Sequence, residues 1–546
     1  MRIPAGRRES PARDGSAGRA GTLPRPVREV WTSRWWRAAA AIAAGALPAL
    51  AFPAPGLWWW AYVALVPWML LARTAATGRR AALDGWLGGL GFILAVHHWL
   101  MPSLHVFIVV LAALLGLLWM PWGWLVRLML AGTPSRARAA AALAVVPSGW
   151  LMVELVRSWE ALGGPWGLLG ASQWEVAPAL RVASVGGVWL VSLLVVAVNT
   201  AVTVLVAVPR ARTTAVAGLM VCALTTGSLW LWVRPPLETG RVRVAVVQPG
   251  VIDGIGGAER RFARGEELTR ELAGRDVDVV VWGESSVGAD LATRRDLADR
   301  LAALSRAVGA EILVNVDARR SDRPGIYKSS VLVGPAGPTG DRYDKMRLVP
   351  FGEYVPARAL LGWATSVGKA AGEDRMRGTG QVVMAVGERG LRLGPLVCFE
   401  SAFPDMSRSL ARDGAQLLVA QSATSTFQDS WAPDQHASLA ALRAAETGRP
   451  MVHATLTGVS VVHGPDGGRV GPPLGTDRSA SAVYDVPLAS GTTVYARFGD
   501  WAVYTALAVL CAVCAVSGGS SLRRPAPGTP GPPARTTRGS AGRPGH

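Results

Sequence analysis

The sequence predicts a polytopic α-helical membrane protein of about eight spans that carries one layered α/β domain outside the cytoplasm. Three observations predict it. Apolar stretches of the length needed to cross about 30 Å of hydrocarbon recur along the chain, at 37–55, 57–72, 84–101, 105–130, 139–156, 186–208, 213–233 and 501–517. Charged residues make up only 17% of the chain against 50% hydrophobic ones, where a soluble globular chain carries about 25% charged residues. Between the seventh and eighth stretches, short β-rich runs alternate with amphipathic helical ones.

The net charge of +18 first suggests a nucleic-acid partner, but its distribution excludes one. Residues 1–37 hold nine Arg against three acids, and 522–546 hold five Arg and no acid. The stretch 241–500 is almost neutral, with 31 basic and 30 acidic residues. The remaining excess clusters in alternate gaps between apolar stretches, at Arg73, Arg79 and Arg80, at Arg127, Arg136 and Arg138, and at Arg210 and Arg212. Charge placed this way is a topology signal. It puts both termini in the cytoplasm and, after seven crossings, 241–500 outside. The chain thus divides into a disordered basic tail at 1–36, a seven-helix membrane domain at 37–233, an α/β domain at 241–497, a final helix at 501–517 and a second disordered tail at 522–546. Its tryptophan surplus, 23 Trp against 7 Tyr, suits membrane interfaces, and Trp58, Trp59 and Trp60 read as one such cluster.

Within the α/β domain the expected strands are Val242–Gln248, Val277–Trp282, Ile312–Val316, Ser330–Val333, Val382–Val386, Leu393–Phe399, Leu417–Ala420, Val452–Thr457 and Ala482–Val486. Helices are expected near 259–274, 296–309, 404–413 and 435–448, with a hairpin around Pro465-Asp466-Gly467-Gly468.

Three residues in this domain carry possible chemistry. Cys222, Cys511 and Cys514 lie in apolar helices and read as small hydrophobes, whereas Cys398 ends an apolar run and precedes a turn. It is either a nucleophile at a strand end or a buried structural thiol. Glu284 follows the run Val279-Val280-Val281-Trp282-Gly283; it is a general base with a raised pKa, or a loop or capping carboxylate. Lys345 is one of three Lys in the domain, with Lys328 and Lys369, among 31 basic residues. An Arg-favouring chain that keeps Lys either needs a compact ammonium there or has an exposed loop Lys. His436 and His453 lack neighbours at a metal spacing, so neither metal nor cofactor is expected. His97 and His98 fall near the outer end of the third apolar stretch, as interfacial anchors or headgroup contacts.

Glu284, Lys345 and Cys398, in this order on successive strand ends, resemble the nitrilase superfamily. The match is closer to the apolipoprotein N-acyltransferase family, over most of 37–517. Its most specific motif is Lys345 with Leu348-Val349-Pro350-Phe351-Gly352-Glu353-Tyr354-Val355-Pro356. Val246-Val247-Gln248, Trp282-Gly283-Glu284, Cys398-Phe399-Glu400 and Tyr495-Ala496-Arg497 agree, and Gly164-Pro165-Trp166 with Ser172-Gln173 resembles the family's outer loop.

The resemblance implies an extracytoplasmic nitrilase-like αββα sandwich on membrane helices. It makes Glu284 the general base, Cys398 the nucleophile and Lys345 the cationic oxyanion stabiliser. Glu353, Phe399 and Glu400 become supporting residues, and Trp166, Gln173 and His98 candidate substrate contacts. It implies transfer of a fatty acyl chain from a phospholipid, through a Cys398 thioester, to the N-terminal amine of a diacylated lipoprotein. A membrane-tethered amidase acting on a small amide, or a decayed non-enzymatic domain, are the rival functions. The chain departs from the family at Gln421-Ser422-Ala423-Thr424-Ser425-Thr426-Phe427, where an Asn-Asp-x-Trp-Phe type segment is usual. It also has Gly283 for a usual Pro, Phe399 for a usual Tyr, and Thr455-Leu456-Thr457-Gly458 for an Asn-Asn-Gly or Asn-Thr-Gly segment.

Overall fold

The computed structural model describes residues 34–522 except 253, 357 and 362–371. Apart from 34–36 and 522, the two expected tails lie outside the described residues. Residues 34–36 instead open the first helix, α1 (Arg34–Ala46).

The membrane part continues with α2 (Val66–Arg73), α3 (Gly78–Val96), α4 (Phe107–Gly116), α5 (Met120–Leu130), α6 (Arg136–Arg157), α7 (Ala177–Ala207) and α8 (Arg212–Trp232). Among the described residues four stretches are long and apolar enough to cross a membrane: Phe107–Leu130, Arg136–Arg157, Ala177–Ala207 and Pro209–Trp232. Helix α3 and the following His98–Leu104 form a fifth if the pair, bent by 65°, is one span. The first two expected spans are shorter as helices, because α1 has 13 residues and α2 only 8. Prolines explain the breaks: Pro48, Pro53 and Pro55 withhold backbone donors, and the chain from Leu47 runs as 3-10 turns, Leu47–Ala51 and Trp58–Tyr62.

Tryptophan has a second role that an interfacial reading misses. Trp68, Trp119, Trp122 and Trp150 are fully buried and meet edge-on or tilted at 4.9 to 6.3 Å in the bundle core. Trp58 and Trp59, by contrast, are exposed.

The arginine loops gather at one end of the bundle, where they satisfy helix-terminal carbonyls. Arg73 donates to Gly132 O and Ala207 O, Arg127 to Ala75 O and Arg136 to Arg210 O. Arg37 and Arg80 both pair with the buried Asp84 at 3.0 Å or less. The opposite ends of α3 and α6 lead to the α/β domain.

That domain has two sheets. Strands β1 (Leu237–Gln248), β2 (Val279–Trp282), β3 (Glu311–Arg319), β4 (Ile326–Gly334), β5 (Gly337–Asp344) and β11 (Ala480–Ser490) form one in the order β11-β1-β2-β3-β4-β5. Strands β6 (Met384–Val386), β7 (Leu391–Val397), β8 (Leu417–Ser422), β9 (Met451–Thr455) and β10 (Val461–His463) form the other in the order β10-β9-β8-β7-β6. Their inner faces meet through residues such as Val244, Val281 and Leu313 on one side and Leu393, Val419 and Val452 on the other. Helices α9 (Gly257–Arg270) and α10 (Arg295–Val308) cover the first sheet with Phe262, Leu268 and Leu301. Helices α11 (Pro404–Arg412) and α12 (Ala432–Thr447) cover the second. The result is a four-layered αββα sandwich, joined to the bundle through one shared core.

Helix α12 explains its own sequence. It lies between the second sheet and the membrane helices and is buried around nearly its whole circumference, so it carries no clean amphipathic stripe. Its Glu446, paired with Arg443 at 2.9 Å, accepts the Val188 N–H at 2.7 Å. That amide is freed because α7 breaks at Gly186 and Gly187. Gly187 has φ +68°, and a Cβ there would lie 2.6 Å from the Tyr495 ring, so only glycine fits. The final helix, α13 (Trp501–Leu522), returns alongside α6 and α7, with the Trp501 indole donating to Val185 O at 2.8 Å.

Strands β5 and β10 have no counterpart in the sequence reading. The first, Gly-Pro-Thr-Gly-Asp-Arg-Tyr-Asp, is a polar edge strand without alternation, and the second is three residues long. The expected hairpin is present: the Gly464 N–H donates to Gly468 O at 2.7 Å and His463 pairs with Arg469.

Candidate active site

Three strand ends converge at one rim of the sandwich. Cys398 follows β7 directly, Glu284 lies two residues beyond β2, and Lys345 follows β5. Cys398 is half-buried and holds φ +52°, a left-handed conformation that non-glycine residues rarely adopt and that marks functional turns. It opens the 3-10 turn Cys398–Ala402, which projects the side chain from the sheet edge.

Around it lies a closed ring of charge. The Lys345 ammonium, wholly buried, contacts Glu353 Oε1 at 2.7 Å and Glu284 Oε1 at 3.3 Å. A second ammonium, Lys328 on β4, contacts the same two atoms at 3.0 and 2.7 Å. Lys328 received no role from sequence, although the rarity of lysine in this domain applies to it as much as to Lys345. The Glu353 carboxylate also accepts the Val349 N–H at 2.8 Å, which folds the Leu348–Pro356 loop onto the site.

Burial favours the neutral carboxyl at Glu284, but the Lys328 and Lys345 ammoniums outweigh it and hold the group below its ordinary value. Glu353 follows the same balance and is held down to about 2, with Lys345 the stronger of the two cations. Burial, and then the Glu284 charge, push the Cys398 thiol up to about 12. Cys398 therefore rests as the thiol, and it would have to lose its proton to act as a nucleophile.

Glu400 fastens these pieces together. Its carboxylate accepts from the Tyr343 hydroxyl at 2.7 Å, from the Met346 and Arg347 N–H groups at 2.7 and 3.0 Å, and from the Val397 N–H at 2.8 Å. One side chain so spans the lysine loop and the cysteine turn. Phe399 packs edge-on against Phe403 at 4.9 Å, and both rings close on Gly164 in the loop between α6 and α7.

The altered positions have local explanations. The Gln421 amide donates to Trp282 O at 2.7 Å and to Leu313 O at 3.2 Å, and accepts from Ser330 Oγ at 2.5 Å, so it stitches the two sheets together. A Cβ on Gly283 would lie 1.9 Å from the Leu456 nitrogen, an approach that no side chain survives. Ser425 Oγ and Thr457 Oγ1 are 2.8 Å apart, and Phe427 meets Trp99 at 5.0 Å.

The expected substrate contacts divide. The Trp166 indole donates to Gln435 Oε1 at 2.8 Å and stands 5.3 Å from the His436 ring. His436 in turn lies 3.1 Å from Cys398 O and 3.0 Å from Ser401 Oγ, so Trp166 sits one layer behind the Cys398 turn. His98 packs on Trp431 at 4.5 Å, at the mouth of α12. Gln173 is fully buried and donates to Trp58 O and Ser172 Oγ, both at 2.9 Å; these contacts are within the bundle, not with Glu284, Lys345 or Cys398. His436 had no role from sequence, since only the fold brings α12 behind the cysteine turn.

Two protein families match this chain in succession. Residues 44–201 match the apolipoprotein N-acyltransferase N-terminal domain, and residues 243–494 match carbon-nitrogen hydrolase. An apolipoprotein N-acyltransferase of Geobacter metallireducens is 30% identical over 499 residues, covering 87% of this chain and 94% of its own length. That of Azotobacter vinelandii is 31% identical over 510 residues, covering 88% and 95%. A third, from Allorhizobium ampelinum, is 30% identical over 519 residues, covering 88% and 96%. By these relatives, matched almost end to end, the chain belongs to the apolipoprotein N-acyltransferase family.

Proposed function

We propose that this protein transfers a fatty acyl chain from a phospholipid to Cys398, and from there to the α-amine of diacylglyceryl-cysteine at a lipoprotein N-terminus. The observation that carries the reading is the ring of Glu284, Lys345, Lys328 and Glu353 at the cysteine turn, in a chain of this family.

In the first half-reaction Cys398 Sγ attacks the ester carbonyl while Glu284 takes the thiol proton. The Lys345 ammonium stabilises the oxyanion that forms. Collapse of the tetrahedral intermediate breaks the ester C–O bond, and Glu284 returns its proton to the departing lysophospholipid oxygen. In the second half-reaction the lipoprotein amine attacks the thioester, Glu284 accepts a proton from nitrogen, and the departing sulfur receives it back. Glu353 and Glu400 hold the lysine loop and the cysteine turn in register, and Phe399 contributes its backbone N–H beside the oxyanion. Trp166 and His98 lie at the junction of the two parts, against Gln435, His436 and Trp431, and are assigned to contact the membrane-held substrates. A junction closed by Phe399, Phe403 and Gly164 limits water, which protects the thioester from hydrolysis.

The topology belongs to the same proposal: eight crossings, cytoplasmic termini and an α/β domain outside. Its support is the gathering of Arg73, Arg127 and Arg136 at the bundle end away from that domain, together with the positive-inside rule. A membrane-impermeant maleimide tests the orientation in intact cells. Arg389→Cys, in an exposed turn, is expected to label directly, and Arg79→Cys only after permeabilisation; the reverse pattern overturns the topology.

For the activity itself, mass analysis of lipoprotein N-termini in cells lacking this protein is expected to show diacylated species with a free α-amine. Fully N-acylated lipoproteins in those cells would reject the assignment.

A further inference from the structure

We propose that Lys328 is a working positioning residue of the site, whose ammonium keeps Glu284 ionised and ready to accept the Cys398 proton. The inference rests on the assignment of Glu284 and Cys398 above, and adds a second cation to it.

Geometry carries it. The Lys328 ammonium lies 2.7 Å from Glu284 Oε1, closer than Lys345 at 3.3 Å, so Lys328 makes the shorter ion pair to the base. It also bridges to Glu353 at 3.0 Å, closing the ring of two cations and two carboxylates. The two lysines are fixed as neighbours, since the Lys345 N–H donates to Lys328 O at 2.8 Å. With Lys345 alone, two buried carboxylates would face one cation, leaving a net negative site that disfavours charge on sulfur and in which a carboxyl tends to protonate. With Lys328 the ring is neutral. The Lys328 ammonium sits between the two Oε1 atoms, so its positive charge is shared by both carboxylates. Two of the domain's three lysines meet here, and the third, Lys369, lies outside the described residues.

Among the described residues, the titratable groups around Glu284 come from several elements. Lys328 comes from β4, Lys345 and Glu353 from the lysine loop, Cys398 from the turn after β7 and His436 from α12. Asp317 on β3 lies 4.0 Å from Lys328 and is itself paired with Arg375 at 3.3 Å. Lys328 is thus the cation whose removal leaves Glu284 with Lys345 only. Against burial, the Lys328 charge is the largest influence holding Glu284 low.

The sign of the effect follows. The acylation rate is lost as pH falls through the Glu284 pKa, because a protonated carboxyl takes no proton. Removing Lys328 raises that pKa, and an opposite charge at this range is worth about 1 to 3 pH units. The test is single-turnover acylation of the full-length protein in detergent, from a phospholipid carrying a fluorescent acyl chain, across the pH range. Lys328→Met is expected to move the acid limb up by about 1 to 3 units, with the rate recovering at alkaline pH, and Lys328→Arg is expected to move it back. Should Lys328→Met not fold, Lys328→Gln stands in for it with the same expectation. A neutral variant that is slowed equally at every pH, or that keeps the original limb, overturns the proposal, as does an Arg variant that behaves like the neutral one. Cys398→Ala separates the two layers. Label retained in that variant defeats the underlying assignment, whereas no label there with an unshifted Lys328 profile defeats the Lys328 inference alone.

Discussion

Cys398→Ala is expected to abolish both the acyl-enzyme and the transfer of acyl chain to a lipoprotein amine, lowering turnover by a factor on the order of 10³ to 10⁶, the range seen when a covalent nucleophile is removed. Covalent catalysis divides one hard acyl transfer into two easier ones, and no neighbouring side chain can replace the sulfur. Glu284, Lys345, Lys328 and Glu353 are engaged with one another, and Ser401 Oγ is committed to Cys398 O at 2.9 Å and to His436. The fold should survive the change, because alanine removes one half-buried atom and leaves the turn's backbone bonds intact. A phospholipid-dependent label on the protein, read by gel fluorescence beside a thermal melt, checks both statements. Full labelling of the variant would contradict the assignment.

The second large effect is expected at Glu400, which takes no part in the proton transfers but holds two segments of the site together. Its carboxylate serves four donors on two separate segments, Tyr343, Met346 and Arg347 on one side and Val397 on the other. Glu400→Gln offers one acceptor and one donor in place of two acceptors. Whichever way the amide turns, an N–H faces another N–H or hydroxyl in a buried site. Each unsatisfied buried donor costs about 1–3 kcal/mol, and the Cys398 turn loses its tie to the Lys345 loop. Misplacement of reacting groups by about 1 Å costs on the order of 10²-fold. The expected result is a fall of that order in kcat for acylation with KM little changed, together with a lower melting temperature. An unchanged kcat would show that the cysteine turn holds its position without Glu400.

Much of the candidate site was legible in the sequence because its residues sit at strand ends. Glu284 and Cys398 each follow a run of apolar residues, and Lys345 belongs to a motif whose loop folds back through Glu353 and Val349. Lys328 was not legible, since it lies inside β4, and only the pairing of β4 with β3 and β5 turns its side chain to the ring. His436 depends in the same way on where α12 packs. Gln421 read as a departure from a familiar segment, yet its amide ties β8 to β2 and β3, a contact between strands far apart in the chain. The membrane helices were visible as apolar stretches, but their interruptions follow from local backbone chemistry: Pro48 and Pro53 after α1, and the glycine pair within α7. Composition could not divide the tryptophans between interface and core, because that division depends on which helix faces meet. Strand β5 escaped because a polar edge strand needs no hydrophobic alternation.

The measurement that bears most directly on the central claim is the mass of the protein after incubation with phospholipid in the absence of an acceptor. The account predicts a fatty-acyl increment on the peptide containing Cys398, removed when a diacylglyceryl-cysteine peptide is added and recovered as N-acylated product. An unmodified Cys398, or one that takes only a small polar acyl group from an amide, would contradict it.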